Sequence, residues 1–138
     1  MVPYSPAQMY ALVEDVERYP EFLPWCTGAE LHEKGDTELQ ASIRLGLGEL
    51  NSRFRTRNEL QPPNRMTMEL QDGLFRTLHG SWDFAQLGDA GCEVHLQVEF
   101  EFEGTVHNVL FGAAFEKVCN ELIDAFVRRA AELYGDGN

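Results

Sequence analysis

Hydrophobic and polar positions alternate with a period of two through the middle of the chain. The clearest run covers residues 92–102, where an apolar residue occupies every even position and a polar residue, mostly glutamate, every odd position. Similar patterns are found over residues 38–45, 53–60, 65–71 and 78–84, with a weaker one over residues 28–33. Successive side chains of a β-strand point to opposite faces, so each run is typical of a strand with one buried and one wet face. Glycine, proline, asparagine and aspartate separate the runs, and the pattern predicts six antiparallel strands.

The N-terminal part of the chain has the helical period instead. Ser5 is a candidate N-cap, followed at once by a proline and three positions later by a glutamine, which predicts a helix over about residues 5–16. Pro20 is predicted to begin one further short turn, and Pro24 to end it.

The last apolar stripe predicts a single long helix from about residue 105 to residue 134, roughly 42 Å in length. Its members recur at helical spacing: Phe111, Phe115, Val118, Leu122, Phe126 and Leu133. A sheet of six strands is about 29 Å wide, whereas one helix covers about 10–12 Å. A flat sheet would leave apolar surface in water, so we expect the sheet to curl around the long helix and the short helices to close one end.

The inward side chains would then converge on one space, which they either fill as a plain core or line as a cavity. The candidates for a cavity wall are Phe22, Trp25, Met66, Leu78, Trp82, Phe100, Phe111 and Phe115. Methionine is unbranched and adapts to ligands of variable shape. Trp25 lies where the short helices should close the interior, and two interpretations stay open: a gate residue, or a plug for the end of the core.

The most specific segment of the chain is Tyr19-Pro20 followed by Phe22-Leu23-Pro24-Trp25-Cys26. Further along the chain come Asp72-Gly73-Leu74-Phe75, Val98-Glu99-Phe100-Glu101-Phe102 and Arg129-Ala130. In the order helix, helix, sheet, long helix, these motifs resemble the RatA and coenzyme Q-binding protein family. That family is part of the START-like (polyketide cyclase/dehydrase and lipid transport) superfamily. The resemblance spans essentially the whole chain.

The resemblance implies one α+β domain of the helix-grip fold over residues 1–138. A curved antiparallel sheet of about six strands would wrap around the long C-terminal helix, with two short N-terminal helices. Family members usually begin with a further strand beside the strand of residues 92–102. Only Met1 and Val2 remain of it here, so we expect this first strand to be largely missing, and we favour a start codon set too late. The sheet edge there would then carry unpaired backbone groups.

Composition and charge narrow the class of function. The 138 residues include 23 acidic and 11 basic ones, which gives a net charge of −12 and disfavours non-specific binding to DNA or anionic lipid. The three cysteines form no CxxC pair and the four histidines are scattered, so we expect neither a disulfide framework nor a metal site. The sequence shows no apolar run of about 18 residues and no leader. We therefore expect a cytoplasmic protein with at most transient membrane contact.

The pattern of acidic and nucleophilic residues does not indicate an enzyme. Glu99, Glu101 and Glu103 share the wet face of their strand, and Cys26 has no histidine nearby in sequence to act as its base. The resemblance implies instead the binding of ubiquinone or a similar polyprenyl lipid, as a ligand rather than a cofactor, in support of respiratory electron transport. An isoprenoid chain gains about 25 cal/mol per Å² on leaving water, so an apolar interior suits it.

Five arginines lie within a short stretch on the predicted wet face: Arg44, Arg53, Arg55, Arg57 and Arg65. One interpretation is cross-strand pairing with Glu59 and Glu69 on a solvated face. The other is a patch for RNA phosphate, lipid headgroups or an acidic protein, since arginine binds phosphate bidentately. The bacterial branch of the family implies a toxin that binds the large (50S) ribosomal subunit and blocks subunit joining and translation initiation. The large subunit is therefore the second candidate partner, and this patch its candidate contact.

Overall fold

The computed structural model describes residues 2–48, 50–73, 75–89 and 91–135, apart from the side chains of residues 105–110. Its elements are helix α1 (Pro6–Glu14), a 3-10 helix (Val16–Glu21), strands β1 (Cys26–Lys34), β2 (Glu38–Leu47), β3 (Leu50–Gln61), β4 (Arg65–Gly73), β5 (Phe75–Leu87) and β6 (Gly91–Phe102), and helix α2 (Thr105–Tyr134). The strands form a six-stranded sheet in chain order, with every neighbouring pair antiparallel. The predicted α+β architecture is confirmed.

The core lies between the concave face of the curved sheet and α2. Phe126 of α2 meets Trp82 of β5 with 5.3 Å between ring centroids, and Phe115 meets Phe100 of β6 at 4.7 Å. Alternate residues of each strand point to this side, which is why the period-two pattern marks the core so clearly. Because α2 packs against β2 as well as β6, in opposite halves of the sheet, the curling predicted from the sheet's width is confirmed.

Helix α1 begins as predicted, with a capping box at Ser5. The Ser5 hydroxyl oxygen accepts a hydrogen bond from the Gln8 N–H at 3.1 Å, and the Gln8 side-chain oxygen accepts one from the Ser5 N–H at 2.9 Å. These two bonds satisfy backbone donors that an uncapped helix start leaves free.

The predicted boundaries of the second turn were wrong. Helix α1 ends at Glu14, and the 3-10 helix begins already at Val16, so that Pro20 lies inside it rather than at its start. Asp15 leaves helical geometry at ψ 66°, and its carbonyl accepts the Arg18 N–H at 3.1 Å. This i to i+3 bond starts the tighter turn four residues earlier than the prolines suggested.

The C-terminal end of α2 is anchored by a different residue from the one the stripe predicted. Leu133 is 53% exposed. The buried row instead continues at four-residue steps from Phe126 through Ala130 to Tyr134, whose hydroxyl donates to the Gln8 carbonyl at 3.3 Å. Leu133 was therefore wrongly assigned to the core.

The start of the chain lies beside β6. The Val2 and Cys92 backbones exchange two hydrogen bonds, of 2.9 and 3.0 Å. Gly91 has a φ of 144°, and a Cβ there would collide with the Val2 carbonyl, so this close approach requires glycine. The position agrees with the one that the family resemblance implied for the first strand.

Candidate functional site

A cavity of about 90 Å³ lies between the concave face of the sheet, the 3-10 helix and α2. Its wall is almost wholly apolar and includes four of the residues predicted to line it: Trp25, Leu78, Trp82 and Phe115. In the described part of the chain the interior is therefore a packed core that leaves a small space beside α2. This outcome is intermediate between the plain core and the cavity that the sequence left open.

The other four predicted wall residues lie elsewhere. Phe100 lines a neighbouring groove, whereas Phe22, Met66 and Phe111 line neither space. Phe22 turns toward Phe126, with 5.1 Å between ring centroids. Met66 is fully buried in the core beyond the cavity, and Phe111 packs half-buried against the core. Periodicity identifies the face on which a side chain lies, but not its depth along the strand or helix.

Two polar residues on the cavity wall were missed. Thr56 and Asn58 of β3 are buried and line the cavity. Both have the same strand parity as Phe54, which the sequence placed on the inner face. That parity was the signal that could have identified them, since a polar side chain at an inward position is exceptional.

A more open groove of about 510 Å³ lies directly outside the cavity, between β6 and α2. Leu96 and Phe100 line it on the strand side, and Glu116 and Asn120 on the helix side. Val98 and Cys119 line both the groove and the cavity. The groove is therefore the side on which a ligand could reach the cavity.

The ionisable groups of the cavity wall are neutral at physiological pH. Burial, and to a smaller extent Glu116, raises the pKa of Cys119 to about 11. Burial also raises the pKa of Tyr19, whose hydroxyl donates to the Val13 carbonyl. Next to the wall, burial raises the pKa of the Cys26 thiol, which donates to the Gly28 carbonyl. The cavity thus suits an uncharged ligand, and Cys26 is not an activated nucleophile.

The arginine cluster of Arg44, Arg53, Arg55, Arg57 and Arg65 lies on the convex face of the sheet, as strand parity predicted. Arg57 forms an ion pair with Glu38, and the Arg65 guanidinium contacts the Asp83 carboxylate at 3.1 Å. Arg55 donates to the Gln40 side-chain oxygen at 2.7 Å. Carboxylates therefore pair with two arginines of the cluster, but they are Glu38 and Asp83 rather than the predicted Glu59 and Glu69.

Arg44 and Arg53 differ from the rest of the cluster. They are directly opposite each other on β2 and β3, both are exposed, and neither forms an ion pair with any residue that the structure describes. Like charges directly opposite on a sheet destabilise it. This pair is consequently the part of the cluster that is available to an anionic partner.

Arg129 of α2 holds the 3-10 helix against α2. Its side chain is only 12% exposed and donates to the Glu21 carboxylate at 2.6 Å. The guanidinium also lies 5.1 Å from the centroid of the Phe22 ring, a cation–π geometry. Arg129, Glu21 and Phe22 thus form a clamp between α2 and the 3-10 helix. Phe22, which was predicted to line the cavity, is part of this clamp instead.

The clamp predicts an acid-dependent loss of stability. The hydrogen bond from Arg129, assisted by the charge of Arg18, holds the pKa of Glu21 below its ordinary value of 4.5. A carboxyl whose pKa is lower in the folded state stabilises the fold above its unfolded pKa, and this contribution disappears as the pH falls through the folded pKa. Urea denaturation of the native chain and of Glu21→Gln should therefore show a difference in stability at pH 7 that shrinks as the pH falls below 4.5 and through the folded pKa of Glu21.

The matched control for this prediction is Glu17→Gln, on the same 3-10 helix. Among the described residues Glu17 forms no ion pair, so its replacement should leave the pH dependence unchanged. A stability difference for Glu21→Gln that stays constant down to pH 3 would contradict the clamp.

A family model described as polyketide cyclase/dehydrase and lipid transport matches residues 2–127. The chain belongs to this family. The ribosome association toxin RatA of Pseudomonas aeruginosa is 38% identical to it over 135 residues, which cover 98% of this chain and 94% of that protein. The mitochondrial coenzyme Q-binding protein COQ10 of Drosophila melanogaster is 30% identical, over 98% of this chain and 57% of that protein. The resemblance described from the sequence is confirmed.

Two solved structures share the fold of this chain. A START superfamily protein of Mycobacterium smegmatis has a TM-score of 0.81 at 18% identity, covering 96% of this chain and 93% of that one. The Zhui aromatase/cyclase of Streptomyces sp. R1128 has a TM-score of 0.85 at 14% identity, covering 99% and 93%. At such identities the likeness shows the fold alone, so the cyclase does not make this family member an enzyme. The names of the two sequence relatives denote no enzymatic reaction.

Within the described part of the chain, no group of three or more histidine, cysteine, aspartate or glutamate side chains could hold a metal ion. None of the described helices is long and apolar enough to cross a membrane.

Proposed function

We propose that this protein binds a polyprenyl lipid, ubiquinone or a similar prenylated quinone, and in this way supports respiratory electron transport from the cytoplasm. The observation that carries the proposal is the cavity, whose described wall residues are almost all apolar and include no charged group. The groove beside it offers access from the surface. A relative named as a coenzyme Q-binding protein supports the same ligand class.

The dimensions of the cavity bear on how such a ligand would be held. Pockets for drug-sized ligands have volumes of about 300–1,000 Å³, whereas the cavity has about 90 Å³ and the groove about 510 Å³. The cavity therefore accepts one end of the ligand, and the remainder lies in the groove between β6 and α2. Met68 on the wall can change its shape to widen the space, since its side chain is unbranched.

Tryptophan fluorescence provides a direct test, because the chain has two tryptophans and both Trp25 and Trp82 lie on the cavity wall. Decylubiquinone should quench their emission in a saturable titration. Val118→Phe replaces a small side chain of the cavity wall with an aromatic ring. This substitution is expected to weaken the binding of decylubiquinone by about tenfold or more.

The matched control for this test is Val127→Phe, the same substitution at a half-buried position of α2 that does not line the cavity. It should leave the affinity within about twofold. No saturable quenching in the native chain, or equal effects of both substitutions, would contradict ligand binding in the cavity.

A second candidate function is association with the large ribosomal subunit, with block of subunit joining and translation initiation as its consequence. The observation that favours it is the pair Arg44 and Arg53, exposed and without a carboxylate partner in the described structure. A relative named as a ribosome association toxin matches almost the full length of the chain. The lipid would occupy the concave side of the sheet and the ribosome its convex side, so the two functions are compatible. Co-sedimentation with purified 50S subunits at rising salt tests this candidate.

A further inference from the structure

One cross-strand row on the concave face runs from the groove to the middle of the sheet. Val98 of β6 lies beside Gly80 of β5, Gly80 beside Met68 of β4, and Met68 beside Asn58 of β3. All four residues line the cavity, and Val98 lines the groove as well. Neighbouring strands are about 4.8 Å apart, so the row is about 14 Å long.

The Met68 side chain, in the middle of the row, can change its position. Gly80 has no side chain, and a Cβ there would come within 2.7 Å of the Met68 Cε. The flexible end of Met68 thus covers the space above Gly80. Because a methionine side chain changes rotamer at little cost, moving it aside would join the groove to Asn58.

Asn58 lies at the inner end of this row. Its buried side-chain amide has few hydrogen-bond partners for its polar atoms. The residue is 4% exposed, and its Oδ1 has no hydrogen-bond partner among the residues that the structure describes. Its Nδ2 donates to the sulfur of Met66 at 3.6 Å, and a thioether is a weak acceptor. A buried polar group without a partner lowers stability, whereas an apolar residue of similar size would avoid that cost. Asn58 is therefore unexplained by the fold alone.

We propose that Asn58 binds the oxygen function of the ligand, and that the ligand is a neutral lipid whose leading end carries a hydroxyl or carbonyl group; this rests on the lipid-binding function proposed above. As it is oriented, Oδ1 accepts a hydrogen bond from a hydroxyl. Rotation of the amide by half a turn presents its NH2 group to a carbonyl and gives up only the weak bond to Met66.

The surroundings of Asn58 exclude a charged leading end. Among the described residues, the cavity wall is apolar and carries no arginine, lysine, aspartate or glutamate, so a carboxylate or phosphate there would be buried without a counter-charge. Asn51, an exposed residue of the same strand that lines neither the cavity nor the groove, serves as the matched comparison.

The test compares twelve-carbon probes with the same chain and different ends: 1-dodecanol, 2-dodecanone and dodecane. Their affinities are measured by tryptophan fluorescence for the native chain, Asn58→Leu and Asn51→Leu. We expect Asn58→Leu to weaken the binding of the alcohol or the ketone by about tenfold and that of dodecane by less than about twofold. Asn51→Leu, the same substitution on the same strand but outside the site, should change none of the three by more than about twofold. The alcohol and ketone arms identify which oxygen function the amide binds.

The outcomes separate this inference from the proposed function. If dodecane binds the native chain and Asn58→Leu weakens all three probes equally or none of them, the lipid site stands and the role of Asn58 is wrong. An equal loss in Asn51→Leu also overturns it. If no probe binds the native chain, the lipid-binding function itself fails. Asn58→Val, which suits a strand position, replaces Asn58→Leu if that variant does not fold.

Discussion

Replacing Phe126 with alanine is expected to lower the free energy of unfolding by about 3–5 kcal/mol. The ring is 1% exposed and lies at the contact between α2, β5 and the 3-10 helix. Its centroid is 5.3 Å from Trp82, 5.5 Å from Tyr19 and 5.1 Å from Phe22, in edge-on geometry each time. Truncation would remove all three contacts and enlarge a cavity that the sheet and helix already fail to fill.

The measurement for Phe126→Ala is urea denaturation followed by far-ultraviolet circular dichroism, because Trp82 touches the mutated site and would bias a fluorescence signal. Leu133→Ala on the same helix is the matched control. Leu133 is 53% exposed, so its truncation should cost less than about 0.5 kcal/mol. Similar losses for the two variants would mean that α2 does not pack through Phe126.

The fold could be predicted from the sequence because each element has a strong local signal. The alternation over residues 92–102 defines one face of β6 without ambiguity, since a shift by one residue would turn every glutamate inward. The capping box at Ser5 marks the start of α1 equally well. Where the local signal was weak, the predicted boundary was wrong. Pro20 suggested the start of a helix, but the backbone leaves helical geometry at Asp15 and the 3-10 helix begins directly after it.

The candidate site could be predicted only in part. Whether a side chain lines the cavity depends on its position along the strand or helix, whereas the periodicity of the sequence shows only the face on which it lies. Trp82 and Met66 both point inward from neighbouring strands, yet Trp82 lines the cavity and Met66 does not. The position of Phe22 depends on the ion pair between Arg129 and Glu21, which lie 108 positions apart in the chain. No local pattern carries that information.

The arginine cluster on the convex face could likewise be predicted only in part from the sequence. Strand parity correctly placed all five side chains on the wet side, but the identity of each partner depends on register between strands. Arg57 is opposite Glu69 in the ladder, yet its ion pair is with Glu38. Only the register shows that Arg44 and Arg53 face each other, and this pairing selects them from the cluster.

The double variant Arg44→Gln/Arg53→Gln is expected to weaken association with purified 50S subunits by about a hundredfold, since each hydrogen bond to a charged group contributes about 1.5–3 kcal/mol. Loss of two phosphate contacts should also lower the slope of log affinity against log salt by about two. The variant should fold at least as stably as the native chain, because it removes a repulsive cross-strand pair. Lost binding would then not reflect unfolding.

The matched control is Arg57→Gln/Arg65→Gln, which removes the same charge from the same face. Both arginines already have a carboxylate partner, Glu38 and Asp83, so binding should fall by less than about threefold and the salt slope should stay unchanged. Equal losses in the two double variants would indicate a response to overall charge rather than a contact at Arg44 and Arg53. Unchanged binding in both would exclude the convex face, and a ribosomal partner would then have to contact another part of the surface.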